Sequence, residues 1–407
     1  MEFGVEQKPQ MKLKGENVKG KNQKNLKEEN TSVVLKLIRE KSGISRASVV
    51  RLTHLTPPTV SRIVYQLMKK GLVWEVIRNT KSVGRKPFSL YLNGPSYYTI
   101  SVVISYSYVN FGIVDLGGKI AEKINLNTSL NISNNELINL IYKQCKSLLE
   151  KYKDSHFLGI GVSSPGMIDS ERGIILSVPN FENITNLRVK EELQKLLKLP
   201  VLIANDANAE ALGEKYFGEG KEAKDFVLLH IGFGIGAGIV VDSKLFHGNF
   251  GVSGEIGHVS IGNVNGKQCV CGNRGCVELY AGVKEIIKNC SSVANKKYSD
   301  LGEIAFDIEH GNEKVKRVVE EDGRLIGEVL ISIVNLLAPM KIIISGQVVS
   351  FGKYFLEAIK NVIDERSYYR FGENIQVLYS KLGDDAEIVG AMTVVFDAFL
   401  ERPLVFL

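Results

Sequence analysis

The chain has 407 residues, 44% hydrophobic and 24% charged, with a formal net charge of +6. That length exceeds one typical core and predicts two or three domains, and the balance excludes fibrous and wholly disordered classes. No apolar run reaches the ~18 residues of a membrane span, and the N-terminus lacks the apolar core of a secretory signal, so a cytoplasmic protein with no membrane partner is expected.

Charge is unevenly spread. Residues 1–93 hold 19 Lys and Arg against 7 Asp and Glu, whereas residues 94–407 hold 32 against 38. A basic head on an acidic body points to a polyanion as the head's partner. Residues 1–29, rich in Lys, Asn and Glu, read as a disordered basic tail. Of the five cysteines, Cys269, Cys271 and Cys276 are clustered, a pattern that in a cytosolic chain favours metal over disulfides. Cys145 falls at a core position of a helix, and Cys290 has no visible partner.

In chain order, residues 30–43 (NTSVVLKLIREKSG) predict a helix with Val34, Leu35 and Ile38 on one face and Gly43 as its stop. SRASVVRLT follows as a short helix capped by Ser45, and His54-Leu55 makes a turn. In TPPTVSRIVYQLMKKG, Val60, Ile63, Val64 and Leu67 share a buried face, and Pro57 or Pro58 opens the helix. Two short helices joined by a tight turn, the second polar and basic near its start, make a helix-turn-helix. Thr59, Ser61, Arg62 and Gln66 are its candidate DNA contacts. LVWEVIRNT and FSLYLN alternate like two strands of a wing, and Arg85 and Lys86 between them are placed to meet a phosphate or the minor groove. Residues 30–93 are thus a winged helix-turn-helix binding double-stranded DNA.

From Tyr97 three strands run in succession, YYTISVVI, YVNFGIVDL and KIAEKINL, then a helix (residues 135–151) and the strand FLGIGVSS. VLIANDANAEALGE is a strand running into a helix, and FVLLHIGFGIGAGIVV a strand, glycine loop and strand. The strands KIIISG and NIQVLYS follow. A strand triplet followed by helix–strand alternation, occurring twice, predicts an α/β body of two related lobes with a cleft between them. The lobes are expected at residues 94–205 and 206–384, with a C-terminal helix at about 385–402 packing back on the first.

The stretch EIGHVSIGNVNGKQCVCGNRGCVELY combines Glu-x-Gly-His, Cys-x-Cys-Gly-x-x-Gly-Cys and a glutamate two residues later. With NDANAEALGE and the helix-turn-helix, it resembles the ROK family (repressors, open reading frames and kinases) over nearly all of the chain from Asn30 onward. The winged head places the resemblance in the repressor branch, the xylose-type and N-acetylglucosamine-type regulators; the kinases lack that head. The resemblance implies an actin/hexokinase-like (ribonuclease H-like), ATPase-type body. It also implies a structural zinc at His258, Cys269, Cys271 and Cys276, and a monosaccharide bound by Asn205, Asp206, Glu255, His258 and Glu278. One imidazole and three thiolates suit a closed tetrahedral zinc site.

In the family's kinases the residue matching Asp206 is the general base, but the phosphate loops differ here. The first turn is Ser105-Tyr106-Ser107-Tyr108, without the kinases' aspartate and glycines, and Asp115-Leu116-Gly117-Gly118-Lys119 reads as a hairpin turn one strand later. The second loop is Gly232-Phe233-Gly234-Ile235-Gly236, with phenylalanine in place of threonine, and Gly346 stands alone where kinases carry two or three glycines. The expectation is therefore a sugar-responsive repressor, a homodimer or tetramer on palindromic operator DNA, without catalytic residues. The alternative is an ATP-dependent sugar kinase with a DNA-binding head.

Overall fold

Two five-stranded sheets of matching strand order make up the body, and a helical head caps one end of the helices packed between them. The computed structural model describes residues 23–77, 88–129, 131–179, 181–248, 251–261 and 266–407. Arg85 and Lys86 lie outside the described residues, as does the tail before Gln23.

The head contains α1 (Gln23–Glu40), α2 (Arg46–Thr53), α3 (Pro57–Lys69), β1 (Val73–Ile77) and β2 (Phe88–Leu92). Ser45 caps α2 by accepting from Ser48 N, and Thr56 caps α3 by accepting from Thr59 N. Pro57 takes the first helical position of α3, where its missing N–H costs nothing. His54 turns the chain between them in the left-handed region, φ 57°. β1 and β2 pair antiparallel from Val73 opposite Leu92 to Ile77 opposite Phe88. α1 begins at Gln23, seven residues before the helix expected from the sequence, so the boundary of the tail at residue 29 falls inside it. The reason is tertiary: Glu28 accepts from Leu404 N at 2.8 Å, a partner at the other end of the chain.

The first lobe runs β3 (Tyr98–Ile104), β4 (Tyr108–Asp115), β5 (Ile120–Asn127), α4 (Asn134–Lys151), β6 (Phe157–Ser164), β7 (Met167–Asp169), β8 (Ile174–Val178), β9 (Phe181–Leu187), α5 (Val189–Leu197) and β10 (Val201–Asn205). Its main sheet has the order β10-β6-β3-β4-β5, with β3–β5 an antiparallel meander and β6 and β10 parallel to β3. β3 is apolar and buried nearly throughout, as a strand covered on both faces must be, whereas edge strand β5 alternates. The Asp115–Lys119 stretch is the expected hairpin turn. Asp115 accepts from Gly117 N and Lys119 N, and Gly118 supplies φ 82°.

The second lobe continues with α6 (Asp206–Phe217), β11 (Phe226–Ile231), β12 (Ile235–Val241), β13 (Lys244–Leu245), α7 (Glu278–Ala281), α8 (Val283–Ala294), α9 (Leu301–Glu309), α10 (Glu313–Leu337), β14 (Lys341–Gly346), α11 (Lys353–Arg366) and β15 (Gln376–Tyr379). Its sheet order, β13-β12-β11-β14-β15, repeats the first lobe's pattern of an antiparallel meander followed by parallel strands. The chain closes with α12 (Ala386–Glu401) and α13 (Pro403–Phe406).

α12 returns to the first sheet, and α6 covers the second; the two pack on each other between the lobes. Two glycines make this fit. A Cβ on Gly161 of β6 would lie 1.8 Å from Ala391 O of α12, and one on Gly390 would lie 2.9 Å from the backbone of Ala209 in α6. One apolar core then runs unbroken from α1 and α3 (Leu35, Ile38, Val64) to α12 and α6 (Met392, Phe396, Leu400, Tyr216).

Candidate functional site

A cleft of about 900 Å³ opens between the lobes, and Asn205, Asp206, Glu255, His258 and Glu278 all line it. Asn205 ends β10 and caps α6: its Oδ1 accepts from Ala207 N at 3.0 Å and Asn208 N at 3.4 Å, and its Nδ2 donates to Gly166 O at 3.3 Å. Most of its hydrogen-bonding capacity therefore holds the strand–helix junction and aims the next residue, Asp206. Burial raises the Asp206 carboxyl above the usual range, Glu210 adds to this, and His230 opposes it. Glu255 precedes a short 3₁₀ turn ending at His258. Enclosure by the cleft walls raises its carboxyl too; His258 opposes the shift, and Asp206 and Glu278 add to it. Glu278 stands at the first position of α7, with Oε1 3.6 Å from His258 Nδ1.

His258, Cys269, Cys271 and Cys276 come together, with one ligand atom of each within 4.8 Å of all the others. His258 Nδ1 lies 3.6 Å from Cys269 Sγ, and Cys271 Sγ lies 3.7 Å from Cys276 Sγ. Thiolates bound at about 2.3 Å in a tetrahedron stand about 3.8 Å apart, so this donor set fits a closed four-coordinate ion. Gly272 and Gly275, at φ 92° and 75°, let the chain fold back on itself, and Cys269 N donates to Asn273 O at 2.9 Å. His258 Nδ1 faces the sulfurs, so Nε2 is the ring nitrogen left for the cleft.

On the opposite side of the cleft the chain's own polar groups pair with one another. His230 of β11 meets Glu210 of α6 at 3.0 Å, and Ser345 Oγ donates to the same carboxylate at 2.6 Å. Burial pulls the His230 imidazole down, but Glu210, with Asp206 and Glu387 beyond it, outweighs that and raises it to about 10. Glu387, in the first turn of α12, accepts from Tyr108 Oη at 3.2 Å. Burial and Glu210 push its carboxyl up to about 7, against the opposing pull of His230 and Tyr108. At the turn between β3 and β4, the Tyr106 ring packs 5.5 Å from Phe181 and 4.7 Å from Phe233 of the second glycine loop.

In the head, Ser61 and Arg62 are exposed on α3, while Thr59 and Gln66 are half-buried and Thr59 Oγ1 sits 2.9 Å from Thr56 Oγ1. Sequence reasoning placed Tyr65, 64% exposed, on this outward face without naming it a DNA contact. It also missed Arg39, Glu210, His230 and Glu387. Arg39 of α1 donates to Tyr216 O at 2.7 Å, and its guanidinium lies 4.3 Å from the Tyr216 ring centre. Ser32 donates to Leu400 O at 2.7 Å, and Lys36 pairs with Glu401. These residues carry no local motif; only the fold brings them together.

The fold and cleft define an actin/hexokinase-like body carrying a winged helical head. The chain belongs to the ROK family, whose profile matches residues 99–398. It is 32% identical over 381 residues to the xylose repressor of Bacillus subtilis (strain 168), covering 92% of this chain and 97% of the relative. To the DNA-binding transcriptional dual regulator NagC of Escherichia coli (strain K12) it is 28% identical over 386 residues, covering 92% and 94%. Among solved structures, it is similar to a ROK family transcriptional regulator described as a homologue of the Escherichia coli Mlc protein. That match has a TM-score of 0.83 and 27% identity over 94% of this chain and 98% of the other. No helix among the described residues is long and apolar enough to cross a membrane.

Proposed function

We propose that the protein is a sugar-responsive transcriptional repressor, acting as a homodimer or tetramer on palindromic operator DNA. One observation carries the reading: the two helices that begin in the cleft end beneath the DNA-binding head. α6 starts at Asp206 and ends at Tyr216 and Phe217, and α12 starts with Glu387 at the cleft and ends at Leu400 and Glu401. Both far ends hold α1, through Arg39, Ser32 and Lys36. At 1.5 Å per residue the helices are about 18 and 24 Å long, enough to join a ligand site to a DNA site as rigid rods.

A monosaccharide in the cleft would hydrogen-bond Asp206, Glu255, Glu278 and the free nitrogen of His258, with Asn205 holding Asp206 in place. Zinc at His258, Cys269, Cys271 and Cys276 would supply a structural cross-link with no open coordination position. His258 belongs to both sets, so the knuckle fixes one wall of the sugar site. Closure of the lobes on the sugar shifts α6 and α12, and with them α1 and the spacing of paired α3 helices. The sugar acts only if it binds the DNA-incompetent state more tightly. In the head, Thr59, Ser61, Arg62 and Gln66 would read the major groove, and Arg85 and Lys86 would meet the backbone. Tyr106 and Phe233 lie against each other at the two turns that match the kinases' phosphate loops, and His230 is held by Glu210; on these grounds no phosphoryl transfer is expected.

The test is fluorescence anisotropy of zinc-loaded protein on DNA from upstream of its own gene, titrated with free monosaccharides. Release of DNA by one sugar supports the reading; tight DNA binding that no sugar alters overturns it. Sugar-dependent ADP release from ATP would establish the kinase alternative.

A further inference from the structure

The turn Ser105–Ser107 closes the β3–β4 hairpin with Ser105 N donating to Tyr108 O at 2.9 Å, and so fixes Tyr106 at the cleft. Tyr106 comes from the first lobe and Phe233 from the glycine loop of the second, and their rings lie 4.7 Å apart. Phe181 supports the Tyr106 ring from within the first lobe at 5.5 Å. Burial, with the added field of Asp206, Glu278 and Glu255, makes the Tyr106 hydroxyl hard to ionise. A neutral phenol in a cleft that carboxylates also line can donate a hydrogen bond to a ligand there.

The charge around it is also informative. A helix N-terminus favours an anion, and several helices point that end at the cleft. Three of these ends carry a carboxylate of the chain itself: Asp206 at α6, Glu278 at α7 and Glu387 at α12. His230, the buried cation among the described lining residues, is held by Glu210 at 3.0 Å. Lys123 at the rim is paired with Asp385 at 3.1 Å, and Lys284 is exposed on the first turn of α8. A phosphate dianion entering here would meet carboxylates at the starts of α6, α7 and α12, with Lys284 an exposed cation among the lining residues. A neutral polyol meets acceptors on one wall and a donor hydroxyl on the other.

We propose that Tyr106 contacts the effector and, with the carboxylates behind it, restricts the cleft to unphosphorylated monosaccharides; this rests on the sugar-effector reading above. Tyr106 is then both a lobe-bridging ring and a specificity-determining donor, a role the family's motif residues do not supply.

Isothermal titration of the full-length, zinc-loaded protein tests it. The probes are D-xylose, D-glucose and N-acetyl-D-glucosamine, each beside an ester: α-D-xylose 1-phosphate, D-glucose 6-phosphate and N-acetyl-D-glucosamine 6-phosphate. The tightest-binding free sugar is expected to bind at least about tenfold more tightly than its ester. Tyr106→Phe keeps the ring and removes the donor, and should weaken that sugar about threefold to tenfold with the melting temperature unchanged. Tyr106→Ala removes both and should weaken it further. An ester that binds wild type as tightly as its parent sugar overturns the inference and leaves the sugar-effector reading standing. So does unchanged sugar affinity in both variants. Binding of neither sugars nor esters, with DNA binding intact, overturns the sugar-effector reading itself.

Discussion

On the wall of the cleft formed by Glu255, His258 and Glu278, the Glu255 carboxylate has no hydrogen-bond partner among the described residues and Glu278 meets His258 only at 3.6 Å, whereas on the wall formed by Glu210, His230 and Glu387 the polar groups are hydrogen-bonded within the chain. The first wall is held from outside, by a four-residue knuckle with the donor set of a structural metal site. The second is held from within, by the Glu210–His230 contact, the Ser345 hydroxyl and the Tyr108–Glu387 hydrogen bond. Unsatisfied polar groups backed by a rigid support are what a ligand site needs, because a ligand then adds hydrogen bonds without first breaking any. Groups already satisfied by each other lose partners when a ligand enters.

Removing the external support should produce the largest effect. Cys276 is buried, and Cys276→Ser replaces one thiolate of the knuckle. The expected outcome is a stability loss on the order of 3–5 kcal/mol and zinc content reduced to near zero by metal analysis. Sugar affinity should fall, because His258 loses its anchor, while the head keeps its DNA affinity. Retained zinc and unchanged sugar affinity would show that the knuckle does not support that wall.

The internally satisfied wall is tested by pH. Glu387 is shifted from 4.5 to about 7, and His230 from 6.5 to about 10. Both are raised, so each contributes stability that is present at low pH and lost as pH rises: Glu387 across about 4.5 to 7, His230 across about 6.5 to 10. For Glu387 the shift corresponds to about 3 kcal/mol at most, shared with the groups facing it, Glu210, His230, Tyr108 and Asp206. Glu387→Gln should flatten the fall in melting temperature between pH 4.5 and 7 and, because Glu387 is one of the charges that raise His230, lessen the fall above pH 7 without abolishing it. Wild type that is equally stable at pH 5 and pH 7 would remove the basis for this wall's electrostatics.

How much of this was legible depended on distance along the chain. The knuckle was legible because its three cysteines and turning glycines lie in one short stretch, and its full ligand set, with His258, because that stretch resembles the ROK signature. The helix-turn-helix was legible because caps at Ser45 and Thr56 and the periodic Val60, Ile63, Val64 and Leu67 are local signals. The start of α1 was not, because Gln23–Glu29 gains its helix partly from the far C-terminus through Glu28. Tyr106 could be read only as a bulky residue in the turn after β3, since Phe181 and Phe233, which give it a position, sit in separate elements. Glu210 and Glu387 each look like one more carboxylate on a helix. Asn205 was read as a sugar ligand, but the backbone around it shows that its oxygen first serves as a helix cap.

The smallest expected effect tests what joins the two walls to the head. Arg39 reaches from α1 to the end of α6, donating to Tyr216 O at 2.7 Å with its guanidinium 4.3 Å from the Tyr216 ring centre and 5.5 Å from that of Phe396 in α12. One side chain thus touches both rods. Arg39→Ala removes a charge-assisted hydrogen bond and a cation–π contact, together about 2 kcal/mol, while the apolar core of Leu35, Ile38 and Phe399 keeps α1 docked. The variant should therefore fold and bind both sugar and operator DNA with nearly wild-type affinity. What should shrink is the coupling: the ratio of DNA affinities without and with sugar should fall severalfold, measured by anisotropy. Arg39→Lys should not restore it, because an ammonium cannot lie flat over two rings and donate to a carbonyl in the same geometry. An unchanged ratio in Arg39→Ala would mean that the signal leaves the cleft by another route, such as lobe closure changing the distance between subunits. The rods would then serve only to hold the head in place.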